Sequence, residues 1–333
     1  MRWILGVDTS CDDTGVGLID ADDGSVRANV VASQTDVHAA FGGVVPERAS
    51  REHLERIDHV LERALTEAGG GLDDVVGVAA TRGPGLVGAL LVGLCWAKGL
   101  AFARGVPFAA VHHLDGHVAS AGADVHEPSL CLIASGGHTL LLQLRPDAPP
   151  RWLGASRDDA AGEAFDKVAR MLGLPFPGGP ALARLAGEGD PDAHPFTPPL
   201  RRQSGYDFSF SGLKTAVATL LERDPTTAPA DVAASFERTV VDALVGTLTR
   251  AAADHGIDRV IVAGGVAANE RLRAALRSSG LRVTVPPLDL ATDNGAMIAM
   301  AARRRLSDPH ATSDWSVDAA PYLPLVARDI AST

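Results

Sequence analysis

The sequence predicts an α/β protein of two lobes, and three observations carry that expectation. At 333 residues the chain exceeds what one hydrophobic core usually takes. Short apolar runs alternate with stretches of helical periodicity along its whole length. Three glycine-bearing polar turns, at 8–15, 134–139 and 263–269, each follow an apolar run. Backbone N–H groups in such turns, and at the helix starts they feed, make anion-binding sites.

Taken in order, residues 3–20 (WILGVDTSCDDTGVGLID) read as strand, acidic turn, strand. A helix follows over 47–68, where Leu54, Ile57, Val60, Leu61, Ala64 and Leu65 recur at helical spacing. VVGVAA (75–80) is a short buried strand, 86–103 a buried small-residue helix, and FAAVH (108–112) another strand. Residues 129–145 repeat the opening theme of strand, polar glycine turn, strand, in topology and not in identity. Helices are expected over 159–172, 180–187, 211–222 and 229–255. Residues 260–276 read as strand, glycine turn, helix; VTVPPL is a short strand, and TDNGAMIAMAARRR (292–305) a capped helix. Residues 188–204 lack periodicity and read as a surface loop. Two strand-turn-strand units and a later strand-GG-helix unit are the layout of an actin-like nucleotide cleft. The expected lobes are 1–110, with 306–330 packing back on it, and 111–305.

The net charge of -11 argues against a bare nucleic-acid binder, which is usually basic. An RNA partner would have to meet a local patch, and Arg201-Arg202 and Arg303-Arg304-Arg305 are the candidates, unless both are ordinary solvated surface. Three cysteines, an odd number at low density and without CxxC spacing, argue against a disulfide framework or a zinc ribbon. Asp8 interrupts the first apolar run, so no signal peptide is expected. Lys98 and many small residues mark 86–103 as a core helix and not a membrane span. The expected compartment is the cytoplasm, with no membrane partner.

The stretch VHHLDGHVAS (111–120) carries three histidines within six positions. On a helix starting near His113, His113 and His117 share a face, and such spacing lets two imidazoles grip one cation. His112 points elsewhere. Asp293 in the late TDNGAM segment is the candidate third ligand, and two histidines with one carboxylate leave positions open for substrate oxygens. A metalloprotease would need a glutamate directly after the first histidine; Leu114 stands there, and the acid is Asp115.

Several stretches together resemble one family: GVDTSCDDTG (6–15), FGGVVPERASREH (41–53), GPGLVGALLVG (83–93), VHHLDGHVAS, SGGHT (135–139), DDAAGEAFDKVARMLGLPFPGGP (158–180), DFSFSGLKT (207–215), AGGVAANERLR (263–273) and TDNGAMIA (292–299). The resemblance is to TsaD, the bacterial tRNA adenosine threonylcarbamoyltransferases, over nearly the whole chain. It implies an actin-like (ASKHA) fold of duplicated mixed-sheet subdomains. It implies transfer of a threonylcarbamoyl group from threonylcarbamoyl-AMP to the N6 amine of the adenosine just after the anticodon of ANN-reading tRNAs. One divalent metal per subunit, Fe(2+) or else Zn(2+), would sit on His113, His117 and Asp293. Substrate contacts map to Ala134, Ser135, Gly136, Gly137, His138, Asp166, Gly179 and Asn269. The implied partners are tRNA, a TsaB-type paralogue forming a heterodimer, and a TsaE-type ATPase. The usual Glu-Thr-Ser-Cys-Asp-Glu opening carries Asp8 and Asp13 in place of its glutamates, about one methylene less reach.

Asp12 is the candidate polar group beside the accepting amine, because an exocyclic amine must lose a proton during or after attack; alternatively it only braces its own turn. Cys11 has no sequence partner for thiolate chemistry and reads as a buried thiol. The rival readings are an O-carbamoyltransferase of the same fold, whose long extra domain is missing, an actin-like sugar kinase or chaperone-type ATPase, and a non-catalytic actin-like partner protein, which would lack the metal trio.

Overall fold

The protein is described here by a computed structural model, which covers residues 1–41, 43–122, 127–146, 148–198, 200, 205–308, 310 and 312–324. The chain opens with β1 (Trp3–Asp8), β2 (Asp13–Asp20) and β3 (Val26–Ser33), a short α1 (Thr35–Ala39) and the long α2 (Pro46–Ala68). It continues through β4 (Val75–Gly83), α3 (Val87–Arg104), β5 (Phe108–His112) and α4 (His113–Ser120). Next come β6 (Ser129–Ala134), β7 (Thr139–Arg145), β8 (Ala148–Ala155), α5 (Ala161–Met171), α6 (Gly178–Ala186), α7 (Ser211–Arg223) and α8 (Pro229–His255). The last elements are β9 (Arg259–Ala263), α9 (Glu270–Arg277), β10 (Arg282–Thr284) and α10 (Gly295–Leu306).

Two five-stranded sheets run in the orders β3-β2-β1-β4-β5 and β10-β9-β6-β7-β8. In the first, β1 pairs antiparallel with β2 and parallel with β4, and β4 pairs parallel with β5. In the second, β6 pairs antiparallel with β7 and parallel with β9, and β9 pairs parallel with β10. Each sheet is therefore an antiparallel meander extended by two parallel strands, and the second repeats the first strand for strand. Of the ten strands among the described residues, eight match strands read from the sequence; the two that were not read are β3 and β8, whose Pro149 and Pro150 argue against a strand. Proline is tolerated at a sheet edge, and β8 and β3 are both edge strands. The strand expected at VTVPPL shrinks to β10, three residues ending before Pro286 and Pro287.

The chain divides into two compact units, residues 1–122 with 293–333, and residues 123–292. This differs from the expected boundary after residue 110. The reason lies in α4 and α10, which pack on the first sheet. A Cβ added at Gly17 would lie 2.1 Å from the Ala296 nitrogen, one at Gly6 2.2 Å from the Gly295 oxygen, and one at Gly295 2.2 Å from the Gly17 nitrogen. Backbone thus meets backbone where α10 begins, and only hydrogen side chains fit there. At Gly116 of α4, an added Cβ would lie 2.9 Å from Ile298 Cδ1 of α10. These contacts bring Asp293, distant in sequence, to α4.

The first unit's core is built from Trp3, Leu5, Leu18, Ile57, Leu94 and Phe108 among others. The second unit's core packs Leu130, Leu132, Phe165, Phe210, Phe236 and Leu244. Helix α3 buries Ala89, Leu90, Gly93, Leu94, Ala97 and Ala101 but leaves Val87, Leu91, Cys95 and Phe102 exposed. It is long and apolar enough by composition to cross a membrane, with a third of its apolar window buried. It buries one face on the first core, as the expected buried helix would, and leaves the other exposed. Of the two basic patches, Arg201-Arg202 lies outside the described residues. Arg303 donates to the backbone oxygens of Ala21 and Asp22, and Arg305 to the Ala110 oxygen at 2.8 Å and to Ser313 Oγ at 3.1 Å. Those two guanidinium groups stitch the first unit together instead of forming a free basic surface.

Candidate metal centre and glycine turns

Helix α4 starts where β5 ends, and His112 makes the junction. Its Nδ1 accepts from the Leu114 N–H at 3.1 Å, so its Nε2 carries the proton and donates to the Leu323 oxygen at 3.0 Å. Burial pushes its pKa down to about 4, despite the bond to Leu323, which fits a neutral capping ring pointing away from its neighbours.

His113 and His117 lie one turn apart on α4, with ring centroids 4.7 Å apart and planes 79° apart. Asp293 precedes α10, whose N-cap Asn294 accepts from the Met297 N–H at 2.9 Å. Asp293 Oδ1 lies 3.5 Å from His113 Nε2 and 3.2 Å from His117 Nε2. One ligand atom from each residue falls within 4.8 Å of the others. Ligand atoms about 2.0–2.2 Å from one ion would stand roughly 3–3.5 Å apart, so the residues fit a divalent cation. Both nitrogens of the buried His117 and Nδ1 of His113 lack a hydrogen-bond partner. Orphaned polar atoms are costly inside a protein, and a bound cation would satisfy an imidazole lone pair.

Asp8 stands behind the first histidine. It is buried, accepts from Thr81 Oγ1 at 2.6 Å and Ser10 Oγ at 3.3 Å, and places Oδ2 3.5 Å from His113 Nδ1. A carboxylate on the far ring nitrogen orients a metal-binding imidazole and raises its basicity. Burial works against a charged His113, but Asp293 and Asp8 outweigh it and hold the ring's pKa well above the usual value. Burial likewise opposes the Asp293 charge, and His113 with His117 reverses that, holding the carboxyl well below its usual range.

Between β1 and β2 runs the acidic turn. Burial, then the Asp12 and Asp293 charges, push Asp13 up to about 7. Burial and Asp12 raise the Cys11 thiol well above its usual value, which disfavours the thiolate. Asp12 is partly exposed.

The other expected contacts all belong to the second unit. In the turn after β6, the Ser135 N–H donates to the His138 oxygen at 2.8 Å, and the His138 N–H to Ser135 Oγ at 3.1 Å. A Cβ added at Gly136 or Gly137 would meet nothing within 4 Å, so the backbone there lies open. Gly162 of α5 closes on the same turn, its N–H donating to the Ser135 oxygen at 3.1 Å. The turn after β9 comes to it too. Gly264 has φ +90°, and an added Cβ would lie 2.5 Å from the Ala134 oxygen. Asp166 Oδ1 accepts from the N–H groups of Gly178 and Gly179 at 2.8 and 3.2 Å. Asn269 caps α9, its Oδ1 accepting from the Leu272 N–H at 2.9 Å while Nδ2 donates to the buried Glu237 at 2.7 Å. Asp166 is thus the cap of a second helix and not the solvated helix acid it resembles alone.

A family profile described as TsaD, tRNA N6-adenosine threonylcarbamoyltransferase, matches residues 25–300. A Thermus thermophilus protein with that description is 55% identical over 324 residues, 97% of this chain and 99% of its own. The chain belongs to the TsaD family. A further TsaD relative, from Moorella thermoacetica, is 49% identical over 337 residues, 97% of each chain. Among solved structures, component A of the Acidaminococcus fermentans (R)-2-hydroxyglutaryl-CoA dehydratase matches with TM-score 0.56 at 17% identity, covering 92% of this chain and all of that one. Full-length HypF matches with TM-score 0.59 at 15% identity, covering 92% of this chain and 56% of that one. The fold of this TsaD chain is actin-like, as the sequence predicts.

Asp8 and Glu237 are the site residues that sequence reasoning missed. Asp8 was visible as a substituted position in the opening motif, but its aim at His113 depends on β1 pairing with β4 and β4 with β5. Nothing in the sequence around Glu237 signals that it faces Asn269.

Proposed function

We propose that this TsaD chain transfers the threonylcarbamoyl group of threonylcarbamoyl-AMP to the N6 amine of the adenosine just 3′ of the anticodon in tRNAs reading ANN codons. The observation that carries the mechanism is the convergence of His113, His117 and Asp293 with unpartnered ring nitrogens. They would hold one divalent cation, Fe(2+) or Zn(2+), since two imidazoles and one carboxylate suit both. Such a cation supplies Lewis-acid polarisation of a carbonyl or phosphate oxygen.

The donor is a mixed anhydride with AMP as a good leaving group, so the chain has to orient and neutralise more than it has to attack. The amine nitrogen forms the new C–N bond, the C–O bond to AMP breaks, and the amine proton leaves. Asp12 is our candidate for the group beside that amine. The open backbone at Gly136 and Gly137, flanked by Ala134, Ser135 and His138, suits the donor's phosphate. Asn269, with its amide already oriented by Glu237, suits the nucleoside. Asp166 acts through the α6 N-terminus it caps, keeping Gly179 in place.

For partners, the exposed apolar stripe of α3 (Val87, Leu91, Cys95) with Leu54 of α2 supports a heterodimer with a TsaB-type paralogue of the same fold, joined by a TsaE-type ATPase. The setting is the cytoplasm, where tRNA is modified. The test incubates the chain with threonylcarbamoyl-AMP, TsaB, TsaE, ATP and unmodified tRNA, and reads modified adenosine by nucleoside mass spectrometry. Product is expected from the wild type and none from His113→Ala/His117→Ala. Equal product from both would remove the metal from the mechanism; none from either would reopen the non-catalytic partner reading.

A further inference from the structure

Three consecutive backbone carbonyls of the acidic turn are each held by a different element. The Ser10 oxygen accepts from the Leu86 N–H at 2.9 Å, and the Asp12 oxygen from the Gln34 N–H at 3.2 Å. Between them, the Cys11 oxygen faces His53 Nε2 of α2 at 3.1 Å. His53 supplies the one side-chain anchor of the three, and it is fully buried.

The protonation of this histidine follows from its neighbours, because each link of the network allows one assignment. Gln34 Nε2 faces the Ala49 oxygen at 3.3 Å; a carbonyl only accepts, so this end of the amide is the donor. Gln34 Oε1 therefore accepts from His38 Nε2 at 3.1 Å, which leaves His38 Nδ1 to accept from the Val45 N–H at 3.3 Å. The second Gln34 N–H and the Thr14 hydroxyl donate to His53 Nδ1, at 3.2 and 2.8 Å. His53 Nδ1 thus carries no proton, and Nε2–H points at the Cys11 oxygen. The chain of bonds closes at both ends on backbone groups without a conflict, and a fully satisfied buried network rigidifies what it touches.

We propose that His53 is a positioning residue of the transfer reaction. By donating to the Cys11 carbonyl it fixes the Cys11–Asp12 peptide, and so the placement of Asp12 in the turn. The inference rests on the functional reading above, and in particular on the acidic turn serving the accepting amine. The role proposed for His53 is one of position and not of contact with the substrate. His53 acts by holding a turn whose displacement by about 1 Å would slow an oriented reaction strongly.

Two substitutions separate this role from bulk stability. His53→Asn keeps an acceptor where Nδ1 lies but lacks reach to Cys11. His53→Gln places an amide N–H near the position of Nε2. Steady-state transfer is measured on both beside the wild type, with bound metal by elemental analysis and the folded fraction by circular dichroism. His53→Asn is expected to lower kcat about tenfold to a hundredfold, with KM for tRNA and metal content within about twofold of wild type. His53→Gln is expected to recover most of that loss. A folded His53→Asn with wild-type kcat overturns the proposal, as does a His53→Gln variant as slow as His53→Asn. Loss of metal in step with kcat also overturns it, by making His53 a scaffold of the metal set.

If His53→Asn does not fold, Thr14→Val takes its place. It removes one donor to Nδ1, and a fall in kcat at unchanged metal content is expected; an unchanged kcat overturns the proposal. Independently of activity, ¹⁵N shifts of histidine-labelled wild-type protein, assigned by the resonance missing in His53→Gln, should show Nδ1 bare and Nε2 protonated. A proton on Nδ1 overturns it. A wild-type chain without transfer activity would remove the functional reading and this role together, whereas an active wild type with an equally active His53→Asn removes this role alone.

Discussion

Asp8 shows how much one buried carboxylate decides. It bonds to Thr81 and Ser10 and leaves one oxygen 3.5 Å from His113 Nδ1. In Asp8→Asn, the amide keeps the size and loses the charge that favours a proton on Nδ1 and a lone pair on Nε2. Metal affinity is expected to fall about tenfold to a hundredfold, read by competition with a metal chelator, with little change in the folded fraction. Unchanged affinity would show that the contact has no part in metal binding. The His-His spacing was legible in the sequence, because four-residue spacing on a helix is a local property; Asp293 was a candidate third ligand whose approach to α4 is set by the packing of α10. Asp8 was not legible, because its partner begins the helix that follows β5, a strand two places away in the sheet.

Helix α10 is positioned by glycines at its start as well as by its apolar face, where Met297, Ile298 and Ala302 are buried against Ala79, Ala109 and Val111. Gly6, Gly17 and Gly295 let its first turn lie against β1 and β2. Gly17→Ala would force a methyl to within 2.1 Å of the Ala296 nitrogen, and overpacking of this kind costs about 3 kcal/mol. A lowered midpoint of denaturant unfolding together with weaker metal retention is expected, since Asp293 precedes that helix. In the second unit, Asp158 does for α7 what its own N-cap does not. It accepts from the N–H groups of Phe210 and Ser211, at 2.7 and 3.1 Å, and from the hydroxyls of Ser209 and Ser211. Burial opposes its charge, but these four donors outweigh that and lower its pKa. A carboxyl with a depressed folded pKa stabilises above its unfolded value and loses that contribution as the pH falls through the folded one. Asp158→Asn should therefore cost about 1 kcal/mol at neutral pH, the exposure of the site reducing it. The gap to wild type should close below about pH 3.8, as seen in urea unfolding at a series of pH values. A gap that widens in acid would contradict it.

Across the whole molecule, the net charge is acidic at -11, and the internal use of Arg303 and Arg305 removes those two side chains from the basic patch read at 303–305. On the proposed function, help in holding tRNA would come from a partner, and the apolar stripe of α3 is where we expect a TsaB-type paralogue to dock. Leu91→Glu should abolish that heterodimer in size-exclusion chromatography with light scattering. The metal content of the isolated chain should stay unchanged, because Leu91 lies on the exposed face of its helix. A heterodimer that survives the substitution places the partner elsewhere.

The sequence by itself determined the element types, the duplicated strand-turn-strand theme, the histidine pair and the three glycine turns. All of these depend on local periodicity, on turn chemistry or on spacing within one helix. The proline-bearing edge strand β8 escaped that logic, because edge position relaxes the rule that bars proline from a strand. What only the tertiary structure decided was which distant residues meet. Asp293 joins the first unit because glycine backbones allow α10 close to β1 and β2. Gly264 meets Ala134 because β6 and β9 pair in parallel. Asp8 reaches His113 across a sheet whose order no single segment records. Contacts of this kind are set by the packing of elements far apart in sequence, and no local pattern encodes them.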